Sequence, residues 1–65
     1  MTYEQILTEI DASVEIGAGA HLRAWLIETL EHYAEHDPRA LSIWELAHSA
    51  PISQIRREVA RAVRV

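Results

Sequence analysis

Three groups of side chains in this sequence have types and spacings that could do chemistry. His32, Glu35 and His36 lie within one turn and a half of a helix. Two histidines four apart on a helix point the same way and can share a metal ion, and a neighbouring glutamate can activate a bound water. Arg56, Arg57, Arg61 and Arg64 crowd into the last stretch, where guanidinium groups at helical spacing meet phosphates or carboxylates. Glu28, Glu31 and Glu35 form a three-and-four stripe, and Glu4, Asp11 and Glu15 form another. Such carboxylates are either a solvated face or a surface that fits a basic partner.

The elements that position these groups are helices. Leu22, Trp25, Leu26, Leu30 and Tyr33 fall on one stripe of a central helix over 21–36, whose other face carries the acids and histidines. Trp25, in the middle of that stripe, is the expected anchor of the core. Thr2 and Gln5 form a capping-box pair that opens a helix over 3–15, with Tyr3, Ile6, Leu7, Ile10 and Val14 as its apolar side. Gly17 and Gly19 end it, because glycine accepts the left-handed conformation. Ser42 and Glu45 make a second capping-box pair, with Leu41 placed to staple against Leu46, so a third helix is expected over 43–49, burying Trp44, Leu46 and Ala47. Asp37 and Pro38 offer an earlier, weaker start. After Pro51 a fourth helix runs over 51–64 on the stripe Ile52, Ile55, Val59 and Val63. No segment alternates with period two, so the expected fold is all-α, a compact bundle of four helices in a single domain over 1–65.

A chain of 65 residues without cysteine has no disulfide or thiolate metal site, which leaves good helices or self-association to stabilise it. Ile16, Ile27, Ile43 and Val65 lie off the stripes, so a homodimer is expected. The strongly apolar runs are far shorter than the roughly 20 residues that span a bilayer, and the expected location is the cytosol. The net charge is −4, unevenly placed. Residues 1–37 carry eight acids against Arg23, a net −7, and residues 38–65 carry five arginines against Glu45 and Glu58, a net +3. That asymmetry makes the molecule an electrostatic dipole that can steer a charged partner or a second copy.

Two resemblances bear on function. His32 to His36, H-Y-A-E-H, resembles the H-x-x-E-H motif of the inverted zinc peptidases, which implies His32 and His36 as metal ligands. Those enzymes are large and use a further acidic ligand downstream, where this chain has only Glu45 and Glu58. Histidines at an exposed helix end also complement the helix dipole, so neither metal nor cofactor is expected. Residues 41–64 resemble a helix-turn-helix through Ala47, Pro51, Ile52 and Ser53. The resemblance implies Ser53, Gln54 and Arg57 in a major groove, with Arg61 and Arg64 on phosphates. Proline replaces the glycine usual in the turn, and Arg57 stands where that motif buries an aliphatic residue. Ser42, Ser49 and Ser53 read as cap or turn residues, and so short a chain has little room for a pocket. The sequence therefore points to a non-catalytic module or inhibitor that binds a protein partner through an acidic helical face, with a helix-turn-helix DNA-binding regulator as the alternative.

Overall fold

The computed structural model describes residues 1–64 and contains four helices, α1 (Tyr3–Glu15), α2 (Gly19–Ala34), α3 (Pro38–Ser49) and α4 (Ile52–Arg64). Val65 lies outside the described residues. The helices pack as a ring. The most extensive contact is α2 on α3, followed by α1 on α4, and α3–α4 and α1–α2 complete the circuit. Helices α2 and α4 therefore lie across the diagonal from one another.

Local chemistry explains the ends. At Thr2 the capping box is complete: the Thr2 hydroxyl accepts from the Gln5 N–H at 3.2 Å, and the Gln5 side chain accepts from the Thr2 N–H at 2.7 Å. Gly17 stops α1 at φ +73°. The Gly17 N–H donates to the Val14 carbonyl at 3.1 Å and the Ala18 N–H to the Ser13 carbonyl at 2.9 Å, the two bonds of a Schellman motif. Gly19, expected to share that role, is instead the first residue of α2, which begins two residues earlier than the spacing of its apolar residues predicts.

Helix α3 departs further from the sequence expectation, starting at Pro38 rather than Ile43. Asp37 is its cap, extended at φ −130° and accepting from the Arg39 N–H at 2.9 Å, with Pro38 in the first position where no N–H is needed. The longer helix puts Ala40, Ile43 and Ala47 on one buried stripe. Starting at Ser42 would have left Ala40 out of it. Ser42 is thus an exposed residue inside the helix, and Leu41, expected to staple, is 40% exposed.

The core comprises Ile6 and Ile10 from α1, Leu22, Leu26 and Leu30 from α2, Ala40, Ile43 and Ala47 from α3, and Ile55, Val59 and Ala62 from α4, with Ala50 in the last connection. No polar or charged residue is buried among the described residues. Trp25 is not its anchor: it is half-buried at the edge, on the α1 side of the leucine stripe, as Trp44 and Leu46 are half-buried on α3. On α4, Ala62 takes the buried position expected of Val63, since a register 3.6 residues per turn from Ile55 and Val59 reaches residue 62. Among the residues set aside as spare, Val65 lies outside the described residues, Ile43 is buried, Ile27 packs against the core, and Ile16 is 79% exposed.

A half-buried arginine contact ties α2 to α3. Arg23 Nη1 donates to the Ala47 carbonyl at 2.9 Å, one of the four carbonyls that the end of α3 leaves without an intrahelical partner. The cation also meets the negative end of that helix dipole.

Two expectations follow for stability. Leu26→Ala, at a fully buried site, should cost about 2 to 5 kcal/mol, whereas Trp25→Ala should cost less because the indole is only partly buried, at the edge of the core. Urea denaturation of both variants gives the order. Gly17→Ala should cost about 1 kcal/mol through the left-handed backbone alone, since nothing lies within 4 Å of the added methyl, and the same measurement checks it.

Candidate functional site

The arginines of α4 come from a helix whose buried side is Ile55, Val59 and Ala62. That orientation turns Ser53, Arg57, Ala60, Arg61 and Arg64 outward, where together with Arg56 they line one shallow open furrow. Gln54 is exposed in the first turn beside them. The side chains that the helix-turn-helix resemblance assigns to DNA, Ser53, Gln54, Arg57, Arg61 and Arg64, are thus all at the surface of one helix. Arg57, where that motif would bury an aliphatic residue, is exposed, and Ile55 and Val59 do the burying.

The fold neutralises part of this charge. Arg56 Nε donates to Asp11 Oδ1 at 2.6 Å and Nη2 to Oδ2 at 3.2 Å, a two-pronged pair joining α4 to α1. The guanidinium hydrogen bonds hold the Asp11 carboxyl below the usual carboxylate range. Arg61 makes a looser bond to Glu58, 3.4 Å away on its own helix. Among the described residues Arg57 and Arg64 have no acidic partner within 4 Å.

The acidic candidates separate into two sets. Glu4, Asp11 and Glu15 lie on the outward side of α1, and Asp11 is spent on Arg56. Glu28 and Glu31 on α2, with Glu35 at its cap, are exposed opposite the leucine stripe, with no cation at salt-bridge distance among the described residues. Their surroundings are partly apolar. Trp25, Tyr33 and Met1 border a concavity that also includes Glu28, Thr29 and His32, so carboxylates and exposed ring edges share one side of the molecule.

The histidines of that motif sit at an exposed helix end. His32 is in the last turn of α2, Glu35 caps it in the right-handed helical conformation at φ −70°, ψ −25°, and the Asp37 N–H donates to the Tyr33 carbonyl at 3.0 Å, so the helical winding reaches His36. Among the described residues no group of three or more potential ligands forms.

One site gave no sequence signal. The start of α1, the end of α2 and the start of α3 enclose a cleft of about 290 Å³ lined by Met1, Thr2, Tyr3, Ile6, Leu30, Tyr33, Asp37 and Ala40. At its edge the Tyr3 hydroxyl donates to Asp37 Oδ2, so the residue that caps α3 also holds α1. The partners are 34 positions apart, and each reads alone as an ordinary helix-end residue. On α3, Trp44 Nε1 is a buried donor without a partner, and the indole meets the His48 ring edge-on at 4.5 Å.

Comparison with known proteins adds no relative: no protein-family model matches the chain, and no curated protein or solved structure matches it. The function must be argued from these surfaces.

The Tyr3–Asp37 bond has a pH signature. Burial, and secondly the bond to Asp37, push the Tyr3 phenol up to about 12, while the phenol's hydrogen bond chiefly, aided by the Arg39 and Ala40 N–H groups, holds the Asp37 carboxyl low. A raised phenol contributes stability in full below its unfolded value of about 10 and loses it as pH rises through the folded one. A depressed carboxyl contributes above its unfolded value of about 4 and loses it as pH falls through the folded one. The stability difference between the native chain and Tyr3→Phe should therefore be level between about pH 5 and 9 and shrink on both sides. Urea denaturation carried below and above that range measures it.

Proposed function

We propose that this chain is a non-catalytic binding module of the cytosol that docks on a basic protein partner through the outer face of α2. The observation that carries this reading is the Glu28, Glu31 and Glu35 stripe, which is exposed, lacks cations at salt-bridge distance among the described residues, and adjoins Trp25, Tyr33 and Met1. Unpaired carboxylates steer a cationic partner, and half-exposed aromatic rings supply the apolar contact that carries most of an interface's energy. The cytosolic setting is consistent with a chain in which no described helix is long and apolar enough to cross a membrane.

A second reading has its own support. Arg57 and Arg64, unpaired among the described residues, flank Ala60 and Ser53 on the outward face of α4, an arrangement that suits nucleic-acid phosphates. The net charge of −4 weighs against it, because DNA-binding domains are usually basic.

Opposite charge changes separate the two. Changing Glu28, Glu31 and Glu35 to glutamine should slow association with captured basic proteins about tenfold at low salt and leave duplex mobility unaltered. Changing Arg57 and Arg61 to alanine should do the reverse if α4 binds DNA. Capture from nuclease-treated lysate, with the glutamine variant as the control, reads the first, and a gel shift with mixed-sequence duplex reads the second. Retention that is the same with the glutamine variant would end the acidic-face reading.

A further inference from the structure

We propose that the partner of the α4 arginine stripe is the α2 acidic stripe of a second copy of this chain, docked antiparallel and head to tail. The inference rests on the reading of Glu28, Glu31 and Glu35 as a docking surface and names an occupant for it.

The two stripes share one register. Along α2 and its cap the acids stand at 28, 31 and 35, steps of three and then four, the cap Glu35 keeping the helical conformation at φ −70°, ψ −25°; along α4, read backwards, the arginines stand at 64, 61 and 57, again three and then four. Laid antiparallel, the two helices bring Glu28 to Arg64, Glu31 to Arg61 and Glu35 to Arg57 together in one register. Laid parallel, the middle pair falls a residue out of step, which on a helix turns a side chain by about 100°. Antiparallel packing also sets the two helix dipoles against each other favourably. All six side chains are exposed. Among the described residues the only competing intramolecular bond at these six is the loose Arg61–Glu58 contact at 3.4 Å, whose arginine side chain is 72% exposed. Ala60, between the arginines, keeps the middle of the α4 stripe low enough for a second helix to lie close.

Placement decides the kind of assembly. The buried sides of α2 and α4 converge on one core from across the diagonal of the ring, so their charged stripes face away from each other. Two copies cannot then satisfy both stripes reciprocally. The contact is heterologous, and each added copy leaves one acidic and one basic stripe free, which propagates an open chain instead of closing a symmetric dimer. Exposed ion pairs are individually weak and are screened by salt, so the association belongs to low ionic strength and high protein concentration.

Sedimentation velocity tests it. In about 20 mM salt the weight-average mass of the native chain should climb with concentration past twice the 7.4 kDa of one copy, and in about 0.5 M salt it should return to that of one copy. Glu31→Arg and Arg61→Glu should each weaken association about tenfold. Mixed in equal amounts they should restore it, because the reversed acid of one meets the reversed arginine of the other. If either reversal melts the helices, Glu31→Gln and Arg61→Gln carry the same comparison with a smaller effect. A single-copy mass at every concentration in low salt, a plateau at two copies, or indifference to both substitutions would overturn the proposal. A single-copy chain that still retains a basic protein through its α2 glutamates would overturn it and leave the proposed function standing.

Discussion

The leucine stripe of α2 is the surface against which the other helices find their places. Leu22, Leu26 and Leu30 are 0 to 1% exposed, and each closes a different level of the bundle. A chain this short has no second core to fall back on, so whatever loosens that stripe loosens everything. The partner surface on α3 is made of Ala40, Ile43 and Ala47. Small residues there let the two helices come close, which accounts for α2 on α3 being the most extensive contact in the molecule. The Arg23 bond to the Ala47 carbonyl sits on the same seam and satisfies an acceptor that close packing would otherwise leave stranded.

Because no charged side chain is buried among the described residues, every charge is a surface decision. Most of the surface arginines and acids stay apart. The two-pronged Arg56–Asp11 pair is the ion pair that joins two helices, binding the last helix to the first, and exposed pairs of this kind stabilise a fold only modestly. Among the charges left after that pairing are an acidic stripe on α2 and its cap and a basic stripe on α4, on opposite sides of the bundle. The charge asymmetry along the sequence has thus become an asymmetry across the molecule. A polarity of this sort is expensive to keep unless something covers it or the solvent screens it, and the surfaces argued for function are the two ends of it.

Much of the candidate surface was legible before the fold was known. Helical spacing alone puts Glu28, Glu31 and Glu35 opposite the leucines, and turns Arg57, Arg61 and Arg64 away from Ile55 and Val59, because periodicity is a local property. The cleft beside Tyr3 and Asp37 could not be read at all, since it exists only where three helix ends meet.

The sequence by itself determined the number and kind of elements: four amphipathic segments, the Thr2 capping box, the left-handed stop at Gly17 and the absence of strands. Each of those depends on neighbours within about four positions, where side-chain type and backbone preference act directly. Tertiary structure alone decided which apolar residues became core. Trp25 and Val63 sit within their helical stripes yet lie at the edge or outside, while Ile43, apparently spare, is buried. It also decided that α3 begins at Pro38, because the longer helix gains the burial of Ala40 as well as the Asp37 cap. Both outcomes turn on how four stripes share one limited interior, and that volume is a property of the assembled helices which no local pattern encodes.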